Sequence, residues 1–255
     1  MKDLFSLQGR TALVTGGSRG IGRMIATGLL SQGARVYISS RKADACDQTA
    51  RELSALGPCF SLPADVSTVA GAKGLAAAFA AREPALDILV NNAGAAWGEP
   101  FDTFPEKGWD KVMDLNLKSP FFLTQALHEQ LRAAAKVRPA KVINVASIDG
   151  VSVNPQETYS YAASKAGLIH LIKRMSLRLI QDNIVVSGIA PGAFASEMNK
   201  VARDHREETA RRIPAGRIGV DEDMAGVAIY LASRAGDYVV GQTIVVDGGV
   251  TLARG

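Results

Sequence analysis

The stretch TALVTGGSRGIGRMIATGLLSQGARVYISSRK, Thr11 to Lys42, sets the fold of this 255-residue chain. It opens on a short apolar run, passes through a glycine-rich junction into residues with helical apolar spacing, and closes on a second apolar run, ARVYIS. Runs this far apart cannot pair as a hairpin, so they lie parallel in one sheet with a helix crossing over between them. The rhythm continues through ADACDQTARELSALG, CFSLPA, LDILVN, KVINVAS and IVVSGIA, and strands this uniformly apolar need cover on both faces. QTIVVDGG predicts a seventh strand, and IPAGRIGVDEDMAGVAIYLAS reads as a loop leading into a helix begun by the acidic turn Asp221 to Asp223. The expected fold is α/β: a doubly wound, seven-stranded parallel sheet with helices on both faces.

With 47% hydrophobic residues the chain can bury one large core, and no Pro/Ser-rich linker divides it, so a single domain over 1–255 is expected. MKDLFSLQGR holds too short an apolar run for a signal peptide, and no stretch reaches the roughly 18 apolar residues of a membrane span. A cytoplasmic protein without membrane contact is expected. Cys46 and Cys59 fit no metal-ligand or redox spacing and read as reduced packing residues; no metal is expected. The net charge of +4 arises from 29 basic residues interspersed with 25 acidic ones, which argues against a nucleic-acid partner.

At the first junction Gly16, Gly20 and Gly22 follow the strand and open the helix. Glycines let the backbone turn tightly and approach a pyrophosphate, whose charge meets the N–H groups and positive dipole of the helix start. The spacing is G-x-x-x-G-x-G, not the common G-x-G-x-x-G. About 20 residues on, where an NAD-binding chain places a carboxylate for the ribose 2′-hydroxyl, this one has Ser40 followed by Arg41. With Arg19 inside the glycine loop, two guanidinium groups can converge on a 2′-phosphate, which favours NADP(H). Asp65, in PADVS, is placed to accept from an adenine amino group or to cap the next helix.

Tyr161 and Lys165 stand four residues apart in ETYSYAASKAGLIHLIKRMSLRL, so both project from one face of one helix. A phenol ordinarily titrates near ~10, and an ammonium beside it favours the phenolate, which predicts a proton donor tuned toward neutral pH. Tyr159 lacks such a partner, because Ala163 stands four places after it.

These residues, with NNAG at Asn91 to Gly94, Asn116 in DLNLKS, Ser147 in INVASIDG, Pro191-Gly192 and VVDGG at Val245 to Gly249, resemble the single-domain short-chain dehydrogenase/reductase family in type and order. The resemblance runs from Gly9 to Gly249 and implies a Rossmann-type fold. It implies that Tyr161 protonates a ketone oxygen, that Lys165 lowers its pKa and binds the nicotinamide ribose, that Ser147 hydrogen-bonds the same oxygen, and that Asn116 holds a water linking Lys165 to solvent. It further implies cofactor contacts at Gly16, Ser18, Arg19, Gly20, Ile21, Gly22, Ser40, Arg41, Asp65, Val66, Asn91, Ala93 and Gly94, besides Tyr161 and Lys165. Pro191, Gly192, Phe194 and Ser196 match the family's carboxamide clamp, with Ser where many members have Thr.

The nearest subgroup by pattern is the 3-oxoacyl thioester reductases, including those acting on acyl carrier protein, an acidic partner that Lys173, Arg174 and Arg178 would meet. Residues 192–216 read as a polar lid over the substrate. Trp97, Phe101, Phe104 and Phe194 are candidates for an apolar wall, and Ser152, Asn154 and Gln156 for polar orientation. The expected activity is NADPH-dependent ketone reduction. The alternatives are an NAD(P)-linked alcohol, polyol or sugar dehydrogenase, and a non-catalytic NADP sensor. Members of the family assemble as homo-tetramers or dimers through helices corresponding to Phe104–Ala135 and Thr158–Gln181.

Overall fold

The computed structural model describes residues 3–196 and 199–253. Seven strands run in parallel: β1 (Thr11–Thr15), β2 (Arg35–Ser39), β3 (Cys59–Ser61), β4 (Ile88–Asn91), β5 (Ala140–Val145), β6 (Ile184–Pro191) and β7 (Thr243–Val246). Their spatial order is β3-β2-β1-β4-β5-β6-β7, so the winding reverses between β1 and β4. The doubly wound sheet is as expected. In such a sheet the crevice outside the carboxyl ends of the strands at the reversal is where ligands bind.

Successive strand side chains point to opposite faces, and each face has its own core. On one side Val14, Ile38, Val90 and Ile189 pack under α1 (Gly20–Ser31), α2 (Ala43–Leu53) and a later helix through Ile25, Leu29, Leu53 and Leu231. On the other, Leu13, Leu89, Val142 and Val186 meet Leu75 and Phe79 of α3 (Val69–Ala80). Burying a side chain such as Phe79 is worth about 2–3 kcal/mol.

The stretch Phe104–Ala135, expected to be helical, is divided. It comprises α4 (Glu106–Met113), a π-helical turn (Asp114–Lys118), α5 (Ser119–Ala126) and α6 (His128–Ala135). Apolar spacing does not reveal a π turn, which widens the hydrogen-bond ladder at one point. A 21-residue helix, α7 (Tyr159–Leu179), follows β5. The segment 192–216, read above as a lid, holds two short helices, α8 (Lys200–Asp204) and α9 (Arg206–Arg211); its residues Glu197 and Met198 lie outside the described residues. Ala202 and Ile213 within it form a small apolar cluster with Ile218.

The chain closes with α10 (Asp221–Ala232) and α11 (Val250–Ala253). As expected, α10 begins on the acidic turn; the Asp223 carboxylate accepts the Val220 N–H at 2.9 Å. A Cβ on Gly28 would meet Ala225 Cβ at 2.7 Å, which shows how closely α1 and α10 approach. Cys46 and Cys59 are buried and unbonded to each other. No helix among the described residues is long and apolar enough to cross a membrane.

Candidate active site

The glycine loop between β1 and α1 forms a cradle of bare backbone. Gly16 and Gly20 hold φ of +66° and +52°, where L side chains are strained. A Cβ on Gly22 would fall inside the Gly16 carbonyl oxygen, and one on Gly16 would stand 2.7 Å from Asn92 Nδ2. Arg19 occupies the N-cap of α1 without capping it by a side-chain hydrogen bond, whereas Thr68 Oγ1 caps α3 by accepting from Gly71 N–H. Uncapped N–H donors behind a surface free of Cβ atoms fit a pyrophosphate.

Two residues that sequence reasoning did not single out hold this cradle. Asn92 Nδ2 donates to the carbonyls of Thr15 (2.9 Å) and Gly16 (3.3 Å), while Thr15 Oγ1 accepts the N–H groups of Asn92 and Ala93 at 3.0 and 3.1 Å. The doubled Asn in NNAG was the available signal. Asn91, expected at the cofactor, is instead buried under the sheet, its Nδ2 donating to Asn144 Oδ1 (3.0 Å) and Thr124 Oγ1 (3.2 Å). It ties β4 to β5 and α5; consecutive strand residues face opposite ways, so only one of the pair can reach the loop.

Arg41 is exposed just beyond β2, and Ser40 Oγ donates to the Lys42 carbonyl at 3.3 Å. Burial pushes the Asp65 carboxyl up, but the N–H and hydroxyl of Ser67 and the Arg41 guanidinium together hold it below its usual range. Asp65 Oδ1 accepts Ser67 N–H at 3.0 Å, so it shapes the turn before α3, while the cap itself is Thr68. Arg41 and Asp65 therefore share one corner of the crevice, beside the buried Val66. Ser18 is fixed through its carbonyl, which accepts Thr49 Oγ1 at 3.0 Å, and Ile21 packs against the core under α1.

Across the cleft, Pro191 ends β6, and a Cβ on Gly192 would meet Asp247 Cβ at 2.7 Å, so the clamp segment lies against VVDGG. Ser196 Oγ accepts Asn199 N–H at 3.1 Å, and its Cβ stands 3.3 Å from where a Cβ on Gly20 would lie. The clamp thus faces the glycine loop directly. Phe194 is buried against Gly219 and belongs to the core beside α1. It does not join the other three aromatics in a wall. Those divide again: Trp97 covers Gly108 and lies under Lys111 Nζ (5.1 Å), while Phe101 and Phe104 line an apolar slot of about 340 Å³ with Trp109 and Tyr159.

Asn116, Ser147, Tyr161 and Lys165 come together at the ends of β4 and β5. Lys165 is buried, donates from Nζ to the Val145 carbonyl at 2.8 Å, and lies 5.7 Å from the Tyr161 ring centre. Burial lowers its ammonium to about 8. The phenol departs from expectation: burial pushes Tyr161 up to about 12, opposed by hydrogen bonding from Ser147 and reinforced by the Asp149 carboxylate. The reason is geometric, since the ammonium meets the ring and a backbone carbonyl rather than the hydroxyl. Tyr159 points elsewhere, its hydroxyl on Glu157 Oε1 at 3.2 Å.

Ser147 is buried just beyond β5, and its Oγ accepts Asp149 N–H at 3.1 Å. The π turn brings Asn116 inward, where its Oδ1 accepts Ala95 N–H (2.8 Å) and its Nδ2 donates to Ala95 O (2.9 Å) and Ser164 Oγ (3.0 Å). Both ends of the amide are thereby engaged, so a water at Asn116 would have to rest on its backbone. Gly94 completes the cluster: a Cβ there would stand 3.2 Å from Asn116 Oδ1 and 3.8 Å from Lys165 Nζ. Of the polar candidates on the substrate side, Ser152 Oγ donates to the Ile148 carbonyl (3.4 Å) and Asn154 Oδ1 accepts Gln156 N–H (2.7 Å). Of Lys173, Arg174 and Arg178 on α7, Arg178 is bound to Asp182 at 2.8 Å.

A family model described as enoyl-(acyl carrier protein) reductase matches residues 16–251. The chain is 48% identical over 256 residues to the rhamnolipids biosynthesis 3-oxoacyl-[acyl-carrier-protein] reductase of Pseudomonas aeruginosa, with 99% of this chain and 100% of that one covered. It is 39% identical to the 2-dehydro-3-deoxy-D-gluconate 5-dehydrogenase of Dickeya dadantii, with 99% of each chain covered. Among solved structures, the P. aeruginosa RhlG/NADP active-site complex superposes with a TM-score of 0.95 at 47% identity, covering 98% of this chain and 100% of that one. A Burkholderia cenocepacia gluconate 5-dehydrogenase in complex with NADP and tartrate gives 0.90 at 36% identity, covering 98% of each.

Proposed function

The chain belongs to the short-chain dehydrogenase/reductase family, and on that premise we propose that it is an NADP(H)-dependent reductase converting a ketone, foremost a 3-oxoacyl thioester, to a secondary alcohol. The observation that carries this reading is the convergence of Asn116, Ser147, Tyr161 and Lys165 beside the glycine cradle. When bound, NADPH supplies hydride to the carbonyl carbon. Gly16 to Gly22 would hold its pyrophosphate, Arg19 and Arg41 its 2′-phosphate, Lys165 and Tyr161 its nicotinamide ribose, and Pro191 to Ser196 its carboxamide.

The chain's own residues supply the rest. Ser147 Oγ hydrogen-bonds the carbonyl oxygen as negative charge develops on it. Tyr161 then gives that oxygen its proton. A phenol held at about 12 is fully protonated at neutral pH and still far more acidic than the alcohol it creates, so the proton moves downhill. Lys165, protonated below about 8, restores it through water at the Asn116 backbone. The lid at 192–216 excludes solvent, and the whole of 1–255 acts as one catalytic domain.

An NADPH and NADH oxidation screen over 3-oxoacyl thioesters, ketogluconates, small ketones and steroids tests this. The description of the matching family model adds 2-enoyl thioesters as a control. The expected result is 3-oxoacyl turnover with NADPH preferred. Replacing Arg19 and Arg41 together by alanine should lower kcat/KM for NADPH about 100-fold, on the order of 2.7 kcal/mol, and leave NADH nearly unchanged. Ketogluconate turnover alone would favour the sugar-dehydrogenase reading, which the gluconate relatives support. Cofactor binding without any turnover would make the chain a sensor.

Two partner readings attach to this. Arg178 being engaged by Asp182, an acidic carrier would be met by Lys173 and Arg174. Charge reversal at both should raise KM about tenfold for a carrier-linked substrate and leave a small ketone unaffected; equal effects would remove the docking idea. Assembly as a homo-dimer or tetramer through the α4–α6 and α7 faces is supported by the exposed Phe121 and Leu177 there, and light scattering would count the subunits.

A further inference from the structure

The apolar slot at the start of α4 and α7 serves no step of the mechanism above. Phe101, Phe104, Trp109 and Tyr159 line its volume of about 340 Å³ together with Pro105 and Glu106. That is the small end of the range for ligand pockets, about 300–1,000 Å³. Tyr159 stands two residues before Tyr161, and two residues turn an α-helix by about 200°, so the ring at the slot and the ring at the tetrad leave α7 on different sides. The four rings of the slot are held edge to face. The centroids of Phe101 and Tyr159 stand 5.6 Å apart at 73°, those of Phe104 and Tyr159 5.7 Å at 81°, and those of Phe104 and Trp109 6.5 Å at 83°. Rings at such angles leave π-faces uncovered. Phe101, Trp109 and Tyr159 remain 72%, 41% and 37% exposed, so they form an open cage and not a piece of core.

Carboxylates ring the opening. Glu106 lines the slot, Asp102 follows Phe101, and Glu157 Oε1 accepts both the Tyr159 hydroxyl at 3.2 Å and the Phe101 N–H at 3.3 Å, which ties two of the rings to one carboxylate. Among the described residues none of the three is paired with a lysine or arginine. Lys111 is turned to Trp97, and Lys107 is not one of the residues that line the slot. α4 and α7 both begin here, and their positive ends, about +0.5 charge each, are outweighed by three full negative charges. The Tyr159 phenol is pushed up by desolvation and, after it, by Glu157 and Asp102, so their field reaches the ring. An anion would be repelled by that field, and a small, strongly hydrated cation would not give up its water to aromatic walls. A weakly hydrated organic cation suits both the walls and the rim.

We infer that the slot formed by Phe101, Phe104, Trp109 and Tyr159 is a binding site for a small alkylated ammonium ion, held by cation–π contact with the rings and by the Asp102, Glu106 and Glu157 carboxylates at its rim. The site stands whichever carbonyl compound the enzyme reduces. It is also separate from the surface proposed for assembly: Leu177 lies eighteen residues along α7 from Tyr159, about 27 Å away, so a partner seated on Leu177 does not by itself fill the slot.

Titration of the protein with choline and, separately, with 3,3-dimethylbutan-1-ol, its uncharged isostere, followed by calorimetry and by tryptophan fluorescence, tests this. Choline should bind saturably and perturb the fluorescence of Trp109, and the isostere, equal in shape, should bind about tenfold more weakly. Trp109→Leu and Tyr159→Leu keep an apolar wall and remove a π-face, so each should weaken choline about tenfold and leave the isostere unchanged. Glu106→Gln should weaken choline severalfold, as should added salt, because the rim acts through its charge. Equal affinity for choline and its isostere, or no saturable binding of choline, would overturn the inference. Both are read on the unmutated protein, so a variant that fails to fold leaves the test intact. Loss of subunits by light scattering in the leucine variants, with no choline binding by the parent, would mean that a second copy covers the slot, and the inference would fail on that result too.

Discussion

Tyr161→Phe lowers kcat for ketone reduction by about a thousandfold, within the range of about 10²–10⁴ for a positioned general acid, with KM and NADPH affinity changed severalfold at most. The substitution removes one oxygen and keeps the ring, so the packing under Lys165 Nζ persists. What is lost, on the proposed mechanism, is the proton that the protein supplies at the carbonyl oxygen. The high setting of this phenol, about 12, does not weaken the expectation. Reduction creates an alkoxide, a stronger base than any phenolate, so the donor need only be protonated and close. Ser147→Ala should cost less, about a hundredfold, because it removes a hydrogen bond to the developing charge and leaves the proton source. Stopped-flow and steady-state measurement of both variants separates the roles; a Tyr161→Phe enzyme within tenfold of the parent would remove the tyrosine from the chemistry.

The same pair shows what the chain makes legible and what it hides. The sheet could be read because parallel strands buried on both faces leave long apolar runs at crossover spacing, and Tyr161 with Lys165 because one helical turn relates them. The direction of the phenol's shift could not. Spacing places an ammonium beside a phenol, but whether it meets the hydroxyl or the ring depends on the Val145 carbonyl, twenty residues away, that accepts its hydrogen bond. Asn91 and Asn92 make the point again. Adjacent in the chain, they serve different structures: one binds Asn144 and Thr124 under the sheet, the other Thr15 and Gly16 at the glycine loop. Only the alternation of a strand separates them, and nothing local says which faces which way. Phe194 reads as a ligand-facing aromatic until Gly219 is seen to leave room for its ring. The π turn at Asn116 is likewise silent in the apolar pattern.

The glycine loop gives the second large effect, and it separates space from conformation. Gly22→Ala should weaken NADPH binding about a hundredfold, on the order of 2.7 kcal/mol, and destabilise the fold by about 1–3 kcal/mol. Gly22 sits in the first turn of α1, where alanine is otherwise a better helix former, so propensity alone predicts a gain. Sterics win, because the added Cβ would overlap the Gly16 carbonyl oxygen and stand 2.7 Å from its carbon, both backbone atoms that no rotamer change can move. Gly16 is itself locked by Asn92. The strain therefore passes into the cradle, opening the very surface that fits a pyrophosphate. Gly74→Ala is the control: it lies within α3 with nothing within 4 Å of the new methyl, so it should stabilise by about 0.5–1 kcal/mol and leave NADPH affinity unchanged. Thermal melts with and without NADPH read both. A Gly22→Ala protein that melts and binds like the parent would mean that α1 can retreat from the loop, and the close approach of backbone to cofactor would no longer explain why these positions are glycine.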